Sequence, residues 1–438
     1  MVIFITLVAI IVVAFFVLSR KEKPPKSQNN RLNTGTIDDK NIKIVHVTDI
    51  HYLSPSLTDY GKSFVDTIEK SDGKMMRHID QIMDAFVLEM IRTKPDLVIV
   101  SGDMTYNGEK ESHIGLANKF KILKDKGIKV LVLPGNHDLE NEMALAFEGD
   151  ATRPVETVTI EEFEEIYKDY GYGKDDPDVV SRDKKSLNYV YQLGNKCHLI
   201  MVETSTKGND QTISNSSYRW IEKWLRKAKD MNMRVIGVSH QNILAHNKLF
   251  IAGYKITNSS RLVDLYNKYN VRINLSGHMH IQHMAEHKRV HDIALACLGL
   301  YPNLYGVLDM DLRNNMTYHT ESLDVAYWMK KYKHQDSDLL DFENISREYF
   351  VRCTRLQTEK QLAKLDLSKE DKEMMMDFMV DTNIHYFSGS LDKRPDLSLD
   401  NPAYKLWMDH CERTFTGSYL NSIYTDTIGD HNMLEIFQ

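Results

Sequence analysis

Five short segments carry side chains able to hold a metal ion, and each follows a run of β-forming residues. The run IKIVHVTD (42–49) leads into Asp49-Ile50-His51, and DLVIVSGD (96–103) ends on Gly102-Asp103. KVLVLPGN (129–136) continues as Gly135-Asn136-His137-Asp138. RVIGVSH (234–240) delivers His240, and RINLSGH (272–278) opens Gly277-His278-Met279-His280. Asp49 and His51 are two apart, as are His278 and His280. On a strand end such residues share a direction, so each pair can grip one ion. The glycines at 102, 135 and 277 permit sharp turns and close approach. Asp49, His51, Asp103, Asn136, His240, His278 and His280 are too many donors for one four-coordinate ion. They suit two ions sharing a carboxylate. Nitrogen and oxygen donors without sulfur fit Mn, Fe, Zn or similar ions. Two ions ~3.5–4 Å apart clamp the attacking and leaving oxygens of a phosphoryl displacement. Taken singly, D-x-H or Gly-Asp is a coincidence or a turn; the signal lies in all five, each after a β run.

These segments need a scaffold that gathers strand ends. From Ile42 to about Asp311, β-rich runs alternate with amphipathic stretches such as HIDQIMDAFVLEMIRT (78–93). LNYVYQL (187–193) and CHLIMVE (197–203) add two further strands. The alternation implies an α/β domain with a central sheet, and near-continuous apolar strands imply a sheet covered on its faces. In such a sheet, ligands bind at the carboxyl ends of the strands. Beyond residue 320 glycine occurs only at 389, 417 and 429. Helix starts are signalled by Ser368 with Asp371, and by Asn401 before Pro402. The Met-rich MMMDFMV (374–380) reads as core filling.

Val2 to Leu18 is an unbroken apolar run. As a helix it spans roughly 26 Å, within the range for a membrane span. No basic residue precedes it and no A-x-A site follows, so an uncleaved anchor is expected rather than a signal peptide. Arg20, Lys21, Lys23 and Lys26 lie after the run, and the positive-inside rule puts the catalytic portion on the cytoplasmic side. The expected organisation is an anchor at 1–19, a polar linker at 20–41, a catalytic domain at 42–319 and a mainly helical domain at 320–438. The 438 residues are 42% hydrophobic and 27% charged, which excludes a wholly disordered chain. A net charge of −7, with no basic run in 41–438, argues against a nucleic-acid partner. Four scattered cysteines exclude a disulfide scaffold and a Cys-rich metal site.

The order D-x-H, G-D, G-N-H-D, H, G-H-x-H resembles that of the calcineurin-like metallophosphoesterase superfamily, over about residues 43 to 310. The resemblance implies a four-layer α/β/β/α sandwich with a binuclear metal centre at one edge. It implies that Asp49, His51 and His280 hold one ion, that Asn136, His240 and His278 hold the other, and that Asp103 bridges them. It implies further that His137 contacts the phosphate and protonates the leaving group, and that Asp138 orients His137. Water, its pKa depressed by the ions, is the expected nucleophile. DIHYLSP, GDMTYNGEKESH and SHQNILAHN, with the helical C-terminal extension, are similar to bacterial class III cyclic-nucleotide phosphodiesterases. That points to a small phosphodiester substrate and most sharply to 3′,5′-cyclic nucleotides.

Other residues have plainer readings. Tyr52, Tyr60 and Lys62 lie on a loop over the site, and Lys74, Arg77 and His78 form a basic group at a helix start. Gln241 and Asn242 could meet substrate or cap a turn. His246 and His283 read as supporting residues, His46 as core. A phosphomonoesterase of the same fold, and a non-catalytic scaffold, remain alternatives. The oligomeric state is not legible.

Overall fold

The computed structural model describes residues 40–70, 73–206, 211–426 and 428–437. The expected anchor at 1–19 and nearly all of the linker lie outside the described residues. Among the described residues no helix is long and apolar enough to cross a membrane.

The first sheet is built from β1 (Ile42–Val47), β2 (Leu97–Ser101) and β3 (Lys129–Leu133), which are parallel, joined by helices α1 (Ile79–Thr93) and α2 (Lys110–Asp125). Its other half is antiparallel. β13 (Leu304–Met310) pairs with β1, β14 (Met316–Ser322) with β13, and β15 (Met433–Ile436) with β14. The second sheet has seven strands in the order β11-β12-β10-β9-β8-β7-β6. They are β6 (Val179–Arg182), β7 (Tyr189–Leu193), β8 (Cys197–Val202), β9 (Arg234–Ser239), β10 (Ile273–Ser276), β11 (His283–His287) and β12 (Val290–Ala294), while β4 (Leu145–Glu148) and β5 (Ala151–Pro154) form a separate antiparallel pair.

Alternation along β8 explains the layering. Cys197, Leu199 and Met201 join one core with Ile44 and Val98 of the first sheet. Ile200 and Val202 face the other way, into a second core with helices α4 (Asn215–Asp230) and α5 (Ser260–Lys268). The shorter α3 (Ile160–Ile166) precedes β6 and starts on a capping box of Thr159 and Glu162. The result is the expected helix–sheet–sheet–helix arrangement. β2 is buried at all five positions, so its residues need no alternation.

The C-terminal region holds α6 (Val325–Tyr332), α7 (Phe342–Leu362), α8 (Lys369–Phe387), α9 (Pro402–Cys411) and α10 (Phe415–Tyr424). Ser368 and Asn401 cap α8 and α9 as the sequence signals. Met375, Met376 and Met379 are buried against Trp407 and Ile281, so the Met-rich run fills core. The boundary drawn at 320 falls inside β14. The chain's end does not stay helical: β15 returns to the edge of the first sheet.

Candidate metal centre

The strand ends converge as the motifs suggest. Asp49, His51, Asp103 and His280 place donor atoms within 4.8 Å of one another, and Asp103, His240 and His278 do the same. Asp103 belongs to both groups. His240 Nε2 lies 3.3 Å from Asp103 Oδ1 and 3.0 Å from Asn136 Oδ1. His278 Nδ1 lies 3.1 Å from His240 Nε2. On the other side His51 Nε2 is 3.0 Å from His280 Nε2 and 3.9 Å from Asp103 Oδ2. All seven expected donors are therefore in one place.

The geometry that gathers them differs from strand-end alternation. Asp49 and His51 lie beyond β1, and His278 and His280 beyond β10. All four, with Asp103, have left-handed backbone, with φ between 45° and 69°. Such conformations are costly for these residue types and mark sites where surrounding structure imposes them. Here the loops are tied across the sheets. Asp49 N donates to Gly102 O, His51 N to Asp103 O, and His278 N to the Asp49 carboxylate. Gly135 is needed for closeness: a Cβ there would lie 2.2 Å from Asp103 Oδ1.

The donor set fits a cation. Asp49 and Asp103 are buried together, 0% and 1% exposed. Asp49 Oδ1 is buried and accepts no hydrogen bond of good geometry, though His280 Nε2 is 3.3 Å away. Burial would raise both carboxyls, but the surrounding imidazoles outweigh it. His280 holds Asp49 below the usual carboxylate range, and His240, His137 and His51 hold Asp103 well below it. Burial pulls His278 down to about 4. Burial, then the nearby Lys74 ammonium, holds His51 well below the usual imidazole range. His240 goes the other way. Asp103 overcomes its burial and raises it to about 9. Two buried anions beside His240, which carries a proton at neutral pH, and the neutral His51 and His278 make a site in which a divalent ion replaces that proton.

His137 is placed differently. Its side chain is 35% exposed, against 1% for His51 and His240. Its Nδ1 donates to Tyr106 O and Asn107 Oδ1, both at 2.8 Å, which leaves Nε2 facing the centre. Asn107 was not singled out by the sequence, although it sits in the stretch following Asp103. Asp138 corrects an expectation. Its carboxylate makes no hydrogen bond to the His137 ring; it accepts from Gly135 N, Met104 N, Thr105 N and Thr105 Oγ1. Asp138 fastens the loop of Asp103 to that of Asn136, and Asn107 with the Tyr106 carbonyl orients the imidazole.

The remaining candidates resolve mostly as structure. Tyr52 is buried and donates to Asp80, Arg77 pairs with Glu69 under Tyr60, and Lys62 pairs with Asp66 at the surface. Gln241 is held by Thr204, and Asn242 donates to Ser276. His46 bonds Ser101 inside the core. His246 and His283 join their Nδ1 atoms at 3.0 Å, and His246 Nε2 lies 3.2 Å from Asp292. Lys74 is buried near His51.

Residues 324–430 match the model of the C-terminal domain of cyclic nucleotide phosphodiesterase. A probable glycerophosphodiester phosphodiesterase of Arcobacter nitrofigilis is 27% identical over 247 residues, covering 54% of this chain and 71% of that protein. A probable cyclic nucleotide phosphodiesterase of Xenorhabdus bovienii is 23% identical over 255 residues, covering 57% and 83%. A second so named, from Ruthia magnifica, is 30% identical over 95 residues, covering 22% of this chain and 38% of its own. Among solved structures, a dimetal phosphatase of Danio rerio aligns with a TM-score of 0.45 at 12% identity, covering 64% of this chain and 96% of that one. Residues 42–282, more than half of the chain and all of the strands that present the gathered donors, match the calcineurin-like phosphoesterase model, so the chain belongs to that family and is a metal-dependent phosphoester hydrolase.

Proposed function

We propose that this protein hydrolyses small phosphodiesters, with 3′,5′-cyclic nucleotides as the sharpest candidates, at a centre of two metal ions. One observation carries the reading: the Asp103 carboxylate is shared by two donor groups. Asp49, His51 and His280 would hold one ion and Asn136, His240 and His278 the other. Bound ions supply Lewis-acid stabilisation of phosphate charge and lower the pKa of water. The protein's own part follows from its hydrogen bonds. Ser101 O accepts from His240 Nδ1, and Gly253 O accepts from His278 Nε2, so each ring presents its other nitrogen to the centre. The acceptors of His137 Nδ1–H leave Nε2 on the exposed side, the nitrogen through which the ring, when protonated on both nitrogens, would give a proton to the departing alkoxide and return to the Nδ1–H tautomer. The pull towards a diester and a cyclic nucleotide comes from the matched C-terminal domain and the named relatives. The apolar run Val2–Leu18 makes a membrane tether part of the proposal, with the catalytic portion on the cytoplasmic side by the charge rule.

The full-length chain, kept in mild detergent and supplied with Mn²⁺, is assayed on bis-p-nitrophenyl phosphate, p-nitrophenyl phosphate and cAMP. The proposal expects the diester to be cleaved faster than the monoester, cAMP to be cleaved, and Asp103→Asn to abolish both. A faster monoester rate transfers the chain to the phosphomonoesterases. No cleavage of any of the three overturns the catalytic assignment.

A further inference from the structure

Between His240 and α5 runs a loop, 243–255, that does more than connect. It closes on itself: Asn242 N donates to Tyr254 O, and Ile256 N to Asn242 O. At Gly253 its carbonyl accepts from His278 Nε2 at 2.9 Å. The next residue, Tyr254, sets its ring 5.3 Å from the His278 ring, tilted by 53°. Phe250 follows, 5.1 Å from Tyr254. The loop is held from the C-terminal region. Asn247 Nδ2 donates to Tyr386 Oη, Lys248 Nζ donates to Thr425 O, and Phe250 packs at 6.2 and 6.3 Å from Phe415 and Tyr419 of α10. Around it Leu249, Ile251 and Phe415 remain 38%, 45% and 66% exposed.

We propose that Tyr254 and Phe250 form an aromatic subsite, built by the C-terminal helices, that stacks against the base of a nucleotide diester bound at the metal centre. The inference rests on the function proposed above and names what selects the substrate. A phosphate at the metal centre lies next to His278, and a nucleotide carries its base one sugar away. Tyr254 presents an aromatic ring beside His278, next to the Gly253 carbonyl that the His278 Nε2 binds. Both rings are half-buried, so each keeps part of its surface open. An exposed apolar rim beside a polar catalytic centre calls for an apolar group to cover it. Base–aromatic stacking tolerates any base because each has a π face, so the subsite selects nucleotides over aliphatic esters without choosing among bases. Sugar and glycerol substituents have no such face to offer.

The test uses the full-length, Mn²⁺-loaded chain and two diesters, cAMP and the uncharged-headgroup diester glycerophosphoglycerol, which offers the rings neither a π face nor a cation, with kcat/KM measured for each. Tyr254→Leu and Phe250→Leu keep apolar bulk and lose the ring; Tyr254→Phe keeps the ring. The cAMP-to-glycerophosphoglycerol ratio is expected to fall about tenfold in the Leu variants, through KM, and to stay within about threefold of wild type in Tyr254→Phe. An unchanged ratio in both Leu variants overturns the subsite. So does an equal loss on both diesters accompanied by loss of bound metal, because the loop then only positions His278. If the wild-type chain cleaves neither diester, the functional reading fails by itself. The subsite is then judged by calorimetric binding of adenosine 5′-monophosphate, where equal affinity in wild type and Tyr254→Leu overturns it.

Discussion

Among the imidazoles around Asp103, His137 combines an exposed side chain with an anchored Nδ1, so its Nε2 meets solvent and substrate as a proton donor must. His137→Ala is expected to lower kcat on a diester by about 10²–10⁴ while bound metal stays at the wild-type level. Steady-state kinetics beside metal analysis checks this; lost metal would move His137 into the ligand set. Asn107→Ala should cost less, since the Tyr106 carbonyl still accepts from Nδ1. His240 supplies a pH prediction. With its pKa raised to about 9 by Asp103, it is protonated at neutral pH, and a metal ion must displace that proton. Affinity for Mn²⁺ should therefore rise about tenfold per pH unit from pH 7 to 9 and level off above. His278, at about 4, is already neutral there and adds no slope. Isothermal titration in buffers of different ionisation enthalpy checks the sign: about one proton should be released per ion at this subsite.

At the level of elements, Asp138 is the fastening point of the centre. Four donors from two loops converge on its carboxylate, which is 0% exposed. Asp138→Asn turns one acceptor oxygen into a donor facing N–H groups. It should destabilise the fold by about 2–3 kcal/mol, read from urea unfolding, and weaken metal binding. The contrast with its expected role shows what a sequence carries. D-x-H, G-N-H-D and G-H-x-H are contiguous, so the donors were legible. What each flanking residue touches is set by contacts between segments. Asp138 meets residues 33 and 34 positions away, and His278 is oriented by a carbonyl 25 positions earlier. Neither contact leaves a pattern in the chain. The left-handed conformations of Asp49 and His51 were invisible for the same reason, since alternation on a strand gave a sufficient but mistaken reason for their pairing. Capping signals at Ser368 and Asn401 were legible because they are local.

For the whole molecule, the catalytic sandwich and the helical region share their cores. Ile281, one residue past a candidate ligand, packs among Met375, Met379 and Trp407. Cys297 and Leu300 pack with Phe350 and Ile384. β15, near the chain's end, covers the edge of β14. The strands β11 to β15 escaped the sequence reading because their short runs are interrupted by charged residues, and an edge pairing between residues 316 and 436 has no local signature. Chains ending at residue 323 should be insoluble or lack metal, because they expose those apolar surfaces and an unpaired strand edge; a soluble, fully active 40–323 fragment would refute the shared core. The central claim is that seven side chains surround two ions through Asp103. Its most direct test is the metal content of the Mn²⁺-reconstituted, desalted full-length chain by mass spectrometry. The account predicts two ions per wild-type chain and fewer than one in Asp103→Asn. A wild-type count of one or none, or two ions retained without the Asp103 carboxylate, would contradict it.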